Sequence, residues 1–260
     1  MPEAKGLRAL HSKAPPARSG FDRAVFFDMD DTLFDHTSTC ESALRSVVQA
    51  TKPLQAKPFP ELFEEYSRLL EEIQPEVLAG KTTHERAREE RFQALYTFCG
   101  SEVTARVARA TSNQYRERYQ AARAPVPGTP QLLEALAGRA TIGIISNNQH
   151  REQVDKLHAI GLTSWVNLLI TSEEAGVGKP APEIFSLALD RAKVQPREAI
   201  MVGDNWAVDI EGALGVGMPA IWFNRWGRSA PRRIAVPEFA SLDPSPFLLE
   251  ALLGPGAVEI

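Results

Sequence analysis

Three carboxylates, Asp28, Asp30 and Asp31, fall within four positions directly after the apolar run Ala24-Val-Phe-Phe27. Like charges this close repel one another, which is costly unless a cation or a phosphate-handling role answers them. The plainer reading is an acidic turn or a helix cap, where aspartate is common. A short apolar run bounded by polar residues predicts a buried strand. A strand buried on both faces belongs in a parallel sheet covered by helices. The carboxylates then lie just past its carboxyl end, where open α/β sheets bind ligands.

The same arrangement recurs downstream. Thr141-Ile-Gly-Ile-Ile145 runs into Ser146-Asn147-Asn148, and Ala199-Ile-Met-Val202 runs into Gly203-Asp204. Lys179 follows Gly176-Val-Gly178 and opens a predicted helix at Pro180. Singly, each is ordinary, because a serine after a strand is usually a cap and a lysine in a Gly/Pro loop is usually solvated. Together they place polar groups at strand ends and a helix start along one edge of a sheet.

Helices must carry the rest. From His36 to Ala122 helical spacing dominates, with Leu62, Phe63, Tyr66, Leu69, Leu70 and Ile73 forming the strongest i, i+3, i+4, i+7 stripe. One helix is predicted to stop near Lys52-Pro53, and the whole segment reads as a unit of about four helices. Pro125-Val-Pro-Gly128 returns the chain to an alternation of helices and strands. The predicted helices start near Thr129, Val154, Pro180, Val208 and Phe247, and the predicted strands are Trp165–Ile170 and Pro219–Phe223. Alternation of this kind means parallel βαβ units. The fold expected is therefore an α/β doubly wound parallel sheet, residues 21–35 and 123–260, with a helical cap, residues 36–122, and a disordered tail, residues 1–20.

Composition narrows the function. The chain has 260 residues and a formal net charge of −4, which gives no electrostatic case for nucleic acid as a partner. No run approaches the roughly 18 apolar residues of a membrane span, so no membrane partner is expected. The two cysteines, Cys40 and Cys99, are far apart and outside any metal-ligand spacing. That count suggests free thiols and a cytoplasmic location. The basic, proline-containing tail lacks the apolar core of a secretory signal.

The set Asp28-x-Asp30-x-Thr32, Ser146, Lys179-Pro180 and Gly203-Asp204-x-x-x-x-Asp209 resembles the four motifs of the haloacid dehalogenase-like (HAD) superfamily. The helical segment between the first two motifs resembles that family's helical cap. Only 32 residues separate Ser146 from Lys179, which leaves no room for the other common cap position. The resemblance implies a Mg²⁺-dependent phosphatase of a small phosphorylated metabolite, as a monomer or homodimer. It implies Asp28 as the nucleophile and Asp30 as general acid and base. Mg²⁺ would be held by the Asp28 carboxylate, the Asp30 backbone carbonyl and Asp204. Ser146 and Lys179 would bind the phosphoryl group, Asp209 would orient Lys179 or a metal-bound water, and Thr32 would fix the first loop.

Some residues stay open between two readings. Asn147 either contacts substrate or caps the next helix, Asp31 reads as structural, and His36 as packed or exposed. Arg86, Arg88 and Arg91 read as a solvated helix face, with a grip on a second anionic group as the alternative. Competing functions are a sugar phosphomutase, a hydrolytic dehalogenase and a non-catalytic binding module. Asp30 and Asp204 disfavour the dehalogenase, which needs neither a leaving-group acid nor a metal.

Overall fold

The computed structural model describes residues 21–231 and 235–254. The tail expected over residues 1–20 lies outside the described residues. β1 (Ala24–Phe27) leads into α1 (His36–Ala50), α2 (Phe59–Leu78), α3 (His84–Phe98) and α4 (Ala105–Ala122). The chain then alternates through α5 (Thr129–Leu136), β2 (Thr141–Ser146), α6 (His150–Ala159), β3 (Leu168–Thr171), α7 (Ser172–Ala175) and α8 (Pro182–Ala192). It ends with β4 (Ala199–Gly203), α9 (Glu211–Gly215), β5 (Ala220–Phe223), β6 (Glu238–Phe239) and α10 (Pro246–Leu253).

The six strands form one parallel sheet in the order β3-β2-β1-β4-β5-β6. β1 pairs with β2 on one side and β4 on the other, with Phe27 level with both Ile144 and Val202. The chain order reverses across β1, so the crevice at its carboxyl end is the switch point where such sheets bind ligands. That one fact brings Asp28, Ser146 and Asp204 to the same edge. Strand alternation also divides the core: Val25 and Phe27 enter one buried cluster, Ala24 and Phe26 the other. Gly143 of β2 faces Phe26 so closely that an added Cβ would stand 2.5 Å from the ring, so the neighbouring strand can carry no larger residue there.

Two of the inserted helices, α3 and α4, start at threonine caps. The Thr83 and Thr104 hydroxyls accept from the N–H groups of Arg86 and Val107, at 3.1 and 3.4 Å. The apolar stripes meet in an aromatic cluster, with the Tyr66, Phe92 and Tyr115 ring centroids 5.3–6.1 Å apart. This packing does not stop at the helices. One buried cluster runs from Val25 and Phe27 through Met29 and Phe34 to Leu44, Tyr66 and Tyr115. Where the chain enters and leaves the helices the two crossings are joined, because Asp35 N–H donates to Ala124 O at 3.0 Å and Val126 N–H to Leu33 O at 2.9 Å.

Several predicted bounds shift. The strand expected over Trp165–Ile170 forms at Leu168–Thr171, and the helix expected from Pro180 starts at Pro182. The helix expected from Val208 begins earlier, as a π-turn over Trp206–Ile210. Such turns are frequent at functional sites, and this one carries Asp209.

Candidate active site

The Asp28 N–H donates to Val202 O at 2.8 Å, which fixes the first residue past β1 against β4. The Lys179 ammonium lies between two carboxylates, 2.6 Å from Asp28 Oδ1 and 2.6 Å from Asp209 Oδ1. The second Asp209 oxygen accepts from Asn205 N–H at 3.0 Å. An added Cβ at Gly203 would collide with the Asp209 carboxyl group, so the glycine of the Gly-Asp pair is what lets Asp209 approach β4. Asp28, Asp204 and Asp209 each offer an oxygen, and these atoms lie within 4.8 Å of one another.

The charge at this cluster is unbalanced. Burial, then the charges of Asp209 and Asp204, push the Asp28 carboxyl well above its ordinary range against the pull of Lys179. Burial and the charges of Asp209 and Asp31 raise Asp204 to about 7. Burial alone would lower Lys179, but Asp209 and Asp28 hold it raised, so it stays a cation. Three neighbouring carboxylates, two of them sharing one ammonium, form a hard-oxygen set that fits a divalent cation such as Mg²⁺.

The loop after β1 is shaped by Asp31, which adopts a positive φ of 63°. That conformation is uncommon for a side chain but tolerated by aspartate. Its carboxylate accepts from Thr37 N–H (2.9 Å), the Thr37 hydroxyl (2.7 Å) and Arg225 (2.8 Å), which ties the loop to the start of α1. Thr32 is fully buried, and its hydroxyl has no hydrogen-bond partner among the described residues. Ser146 is buried as the last residue of β2. Asn147 holds the lysine loop: its side chain donates to Lys179 O at 2.7 Å and accepts from Lys179 N–H at 2.5 Å. It therefore positions Lys179.

Sequence reasoning missed the partners of Asp30. Lys156 and Gln153, both on α6, donate to its carboxylate at 2.5 and 3.3 Å. His36 Nδ1 lies 3.8 Å from it. Burial would raise Asp30, but Lys156 and His36 hold it at about 2, so here it is ionised. It missed Arg228 as well, which lies 3.7 Å from Asp204 Oδ2. The only signal for Lys156 was its place on a predicted helix after the second motif, and nothing there specified its direction. A cleft of about 350 Å³ joins Asp30, Asp204 and Arg228 to Phe63 and Tyr66 of α2.

Residues 23–217 match the haloacid dehalogenase-like hydrolases. The chain belongs to that family. It is 32% identical to pyrimidine 5'-nucleotidase YjjG of Escherichia coli over 212 residues, covering 81% of this chain and 90% of the relative. It is 31% identical to glyceraldehyde 3-phosphate phosphatase of Methanopyrus kandleri, covering 78% and 84%. The magnesium-bound HAD-hydrolase YfnB of Bacillus subtilis superposes with a TM-score of 0.68 at 23% identity, covering 89% of this chain and 99% of that one. This HAD-like chain is an enzyme, a hydrolase. No helix among its described residues is long and apolar enough to cross a membrane.

Proposed function

We propose that this HAD-like chain is a Mg²⁺-dependent phosphatase that hydrolyses a small phosphorylated metabolite through a phosphoryl group carried on Asp28. The carrying observation is the cluster of Asp28, Asp204 and Asp209, with Lys179 between the first and the last. The carboxylates of Asp28 and Asp204, with the Asp30 backbone carbonyl, would hold Mg²⁺. The ion, when bound, offsets the repulsion between a carboxylate nucleophile and a phosphate dianion.

An oxygen of Asp28 attacks phosphorus, and the bond from phosphorus to the ester oxygen breaks. Lys179 and Ser146 bind the phosphoryl oxygens as charge moves onto them. Asp30 gives a proton to the departing oxygen, then takes one from the water that attacks phosphorus and frees Asp28. Its contact with Lys156 holds Asp30 as a base, so the protonated form requires that contact to loosen. Asp209 and Asn147 keep Lys179 in place. A cytoplasmic location is supported by two buried, unpaired cysteines.

Hydrolysis of p-nitrophenyl phosphate is expected to require Mg²⁺ and to stop in excess chelator. Full activity in chelator, or turnover of 2-chloropropionate instead, would overturn the reading.

The same proposal makes α1–α4 the cover of the cleft and the source of selectivity. Exchanging residues 36–122 for the matching segment of a HAD phosphatase of different preference is expected to move substrate preference and keep chelator sensitivity. Unchanged preference in a folded chimera would refute the cover.

A further inference from the structure

The catalytic cleft opens past Asp30, His36 and Tyr66 into a second cavity of about 250 Å³, enclosed mainly by α2, α3 and α4. His84, Arg88 and Arg91 face it from α3, and their i, i+4, i+7 spacing puts them on one side of that helix. Arg116 faces it from α4. We propose that this cavity takes a second anionic group of the substrate, a carboxylate or a second phosphate, held by Arg88 and Arg91. This rests on the phosphatase reading and names its substrate class: small phosphomonoesters whose remaining part carries another oxyanion.

The acidic side chains lining the cavity already face cations: Asp30 meets Lys156 at 2.5 Å and Glu152 meets Arg116 at 3.5 Å. Glu71, the remaining one, is exposed. Arg91 is only 7% exposed, and its Nε and Nη1 have no hydrogen-bond partner. The Nε of Arg88 has none either. A buried guanidinium with orphan donors is expensive, so the fold sustains a cost that a bound oxyanion would remove.

Other arginines of this helical unit show what a purely structural arginine does here. Arg86, one turn away, reaches Glu90 at 2.6 Å, and Arg109 on α4 reaches Glu89 at 2.5 Å. Arg91 instead lies over the Tyr66 ring, its guanidinium carbon 4.9 Å from the centroid. Stacking engages the face of the guanidinium and leaves its edge donors free. The planar edge of such a group matches the paired oxygens of carboxylate and phosphate alike. The apolar wall, Leu70, Ile73, Val77 and Ala87, suits a short spacer between the two anions.

The test uses non-hydrolysable probes, so it does not depend on turnover. Calorimetric titration of the full chain with Mg²⁺ compares 3-phosphonopropionate, methylenebisphosphonate and ethylphosphonate. At least one of the first two is expected to bind tenfold or more tighter than ethylphosphonate, and which one does identifies carboxylate or phosphate as the second anion. In Arg91→Met that advantage is expected to fall to about threefold or less. Arg91→Lys should recover part of it, which a loss of packing would not allow. If Arg91→Met fails to melt cooperatively, the half-buried Arg88→Met takes its place. Equal binding of all three probes by the wild type would overturn the proposal, as would an advantage that survives both substitutions. Failure to hydrolyse p-nitrophenyl phosphate overturns the phosphatase reading instead, and the binding comparison distinguishes the two.

Discussion

Asp28→Asn is expected to abolish phosphate-ester turnover while the protein still folds. The amide keeps the shape of the side chain and occupies the same place beyond β1, fixed by the backbone bond to Val202. It is not a nucleophile under these conditions, and it removes one of the three carboxylates that lie within 4.8 Å of one another. Loss of one preorganised electrostatic element typically costs about 10²–10³ in rate. Loss of a nucleophile costs more, and effects within one catalytic unit do not add. Stability is expected to hold or rise, because burial and neighbouring acids already press Asp28 toward its neutral form. The check is steady-state turnover at matched Mg²⁺ beside a thermal melt. A variant that keeps more than about a tenth of wild-type activity would remove Asp28 from the mechanism.

What the sequence revealed of this site, and what it hid, has a physical boundary. Asp28, Ser146 and Asp204 were legible because each ends a short apolar run, and parallel strands aim their carboxyl ends the same way. Lys179 was legible only as a polar group at a helix start on that edge, since a lysine in a Gly/Pro loop has no local reason to be buried, and Asp209 only as part of a resemblance. Their contact depends on the close approach at Gly203 and on the π-turn over Trp206–Ile210. The grip of Lys156 on Asp30 was hidden because it spans 126 residues. The arginines of α3 were hidden by helix rotation. Spacing alone does not say that Arg86 turns out to Glu90 while Arg91 turns in beneath Tyr66. The helical stripes read as a unit of about four helices but did not show that the cluster through Met29 and Phe34 joins this unit to the sheet. That continuity makes any opening of the helices a movement against packed side chains.

Lys179→Met is expected to damage stability and chemistry together, and the two effects can be separated. The ammonium is buried and holds both Asp28 and Asp209 at 2.6 Å. Methionine fills much of the same space without the charge, so the change is electrostatic more than steric. Removing one partner of a buried ion pair costs about 3–5 kcal/mol, because the remaining charge is left without compensation. Here two carboxylates are left, beside an Asp204 already raised to about 7. Turnover should fall by about 10²–10³, since the group that meets the phosphoryl charge is gone. A second change, Asp209→Asn, removes one of the stranded acids. The double variant Lys179→Met with Asp209→Asn is therefore expected to regain part of the lost melting temperature while turnover stays at the level of Lys179→Met. Residues in direct contact are where such non-additivity belongs. If the double variant melts no higher than Lys179→Met, the lysine does not balance Asp209. If it regains activity along with stability, Lys179 serves the fold alone.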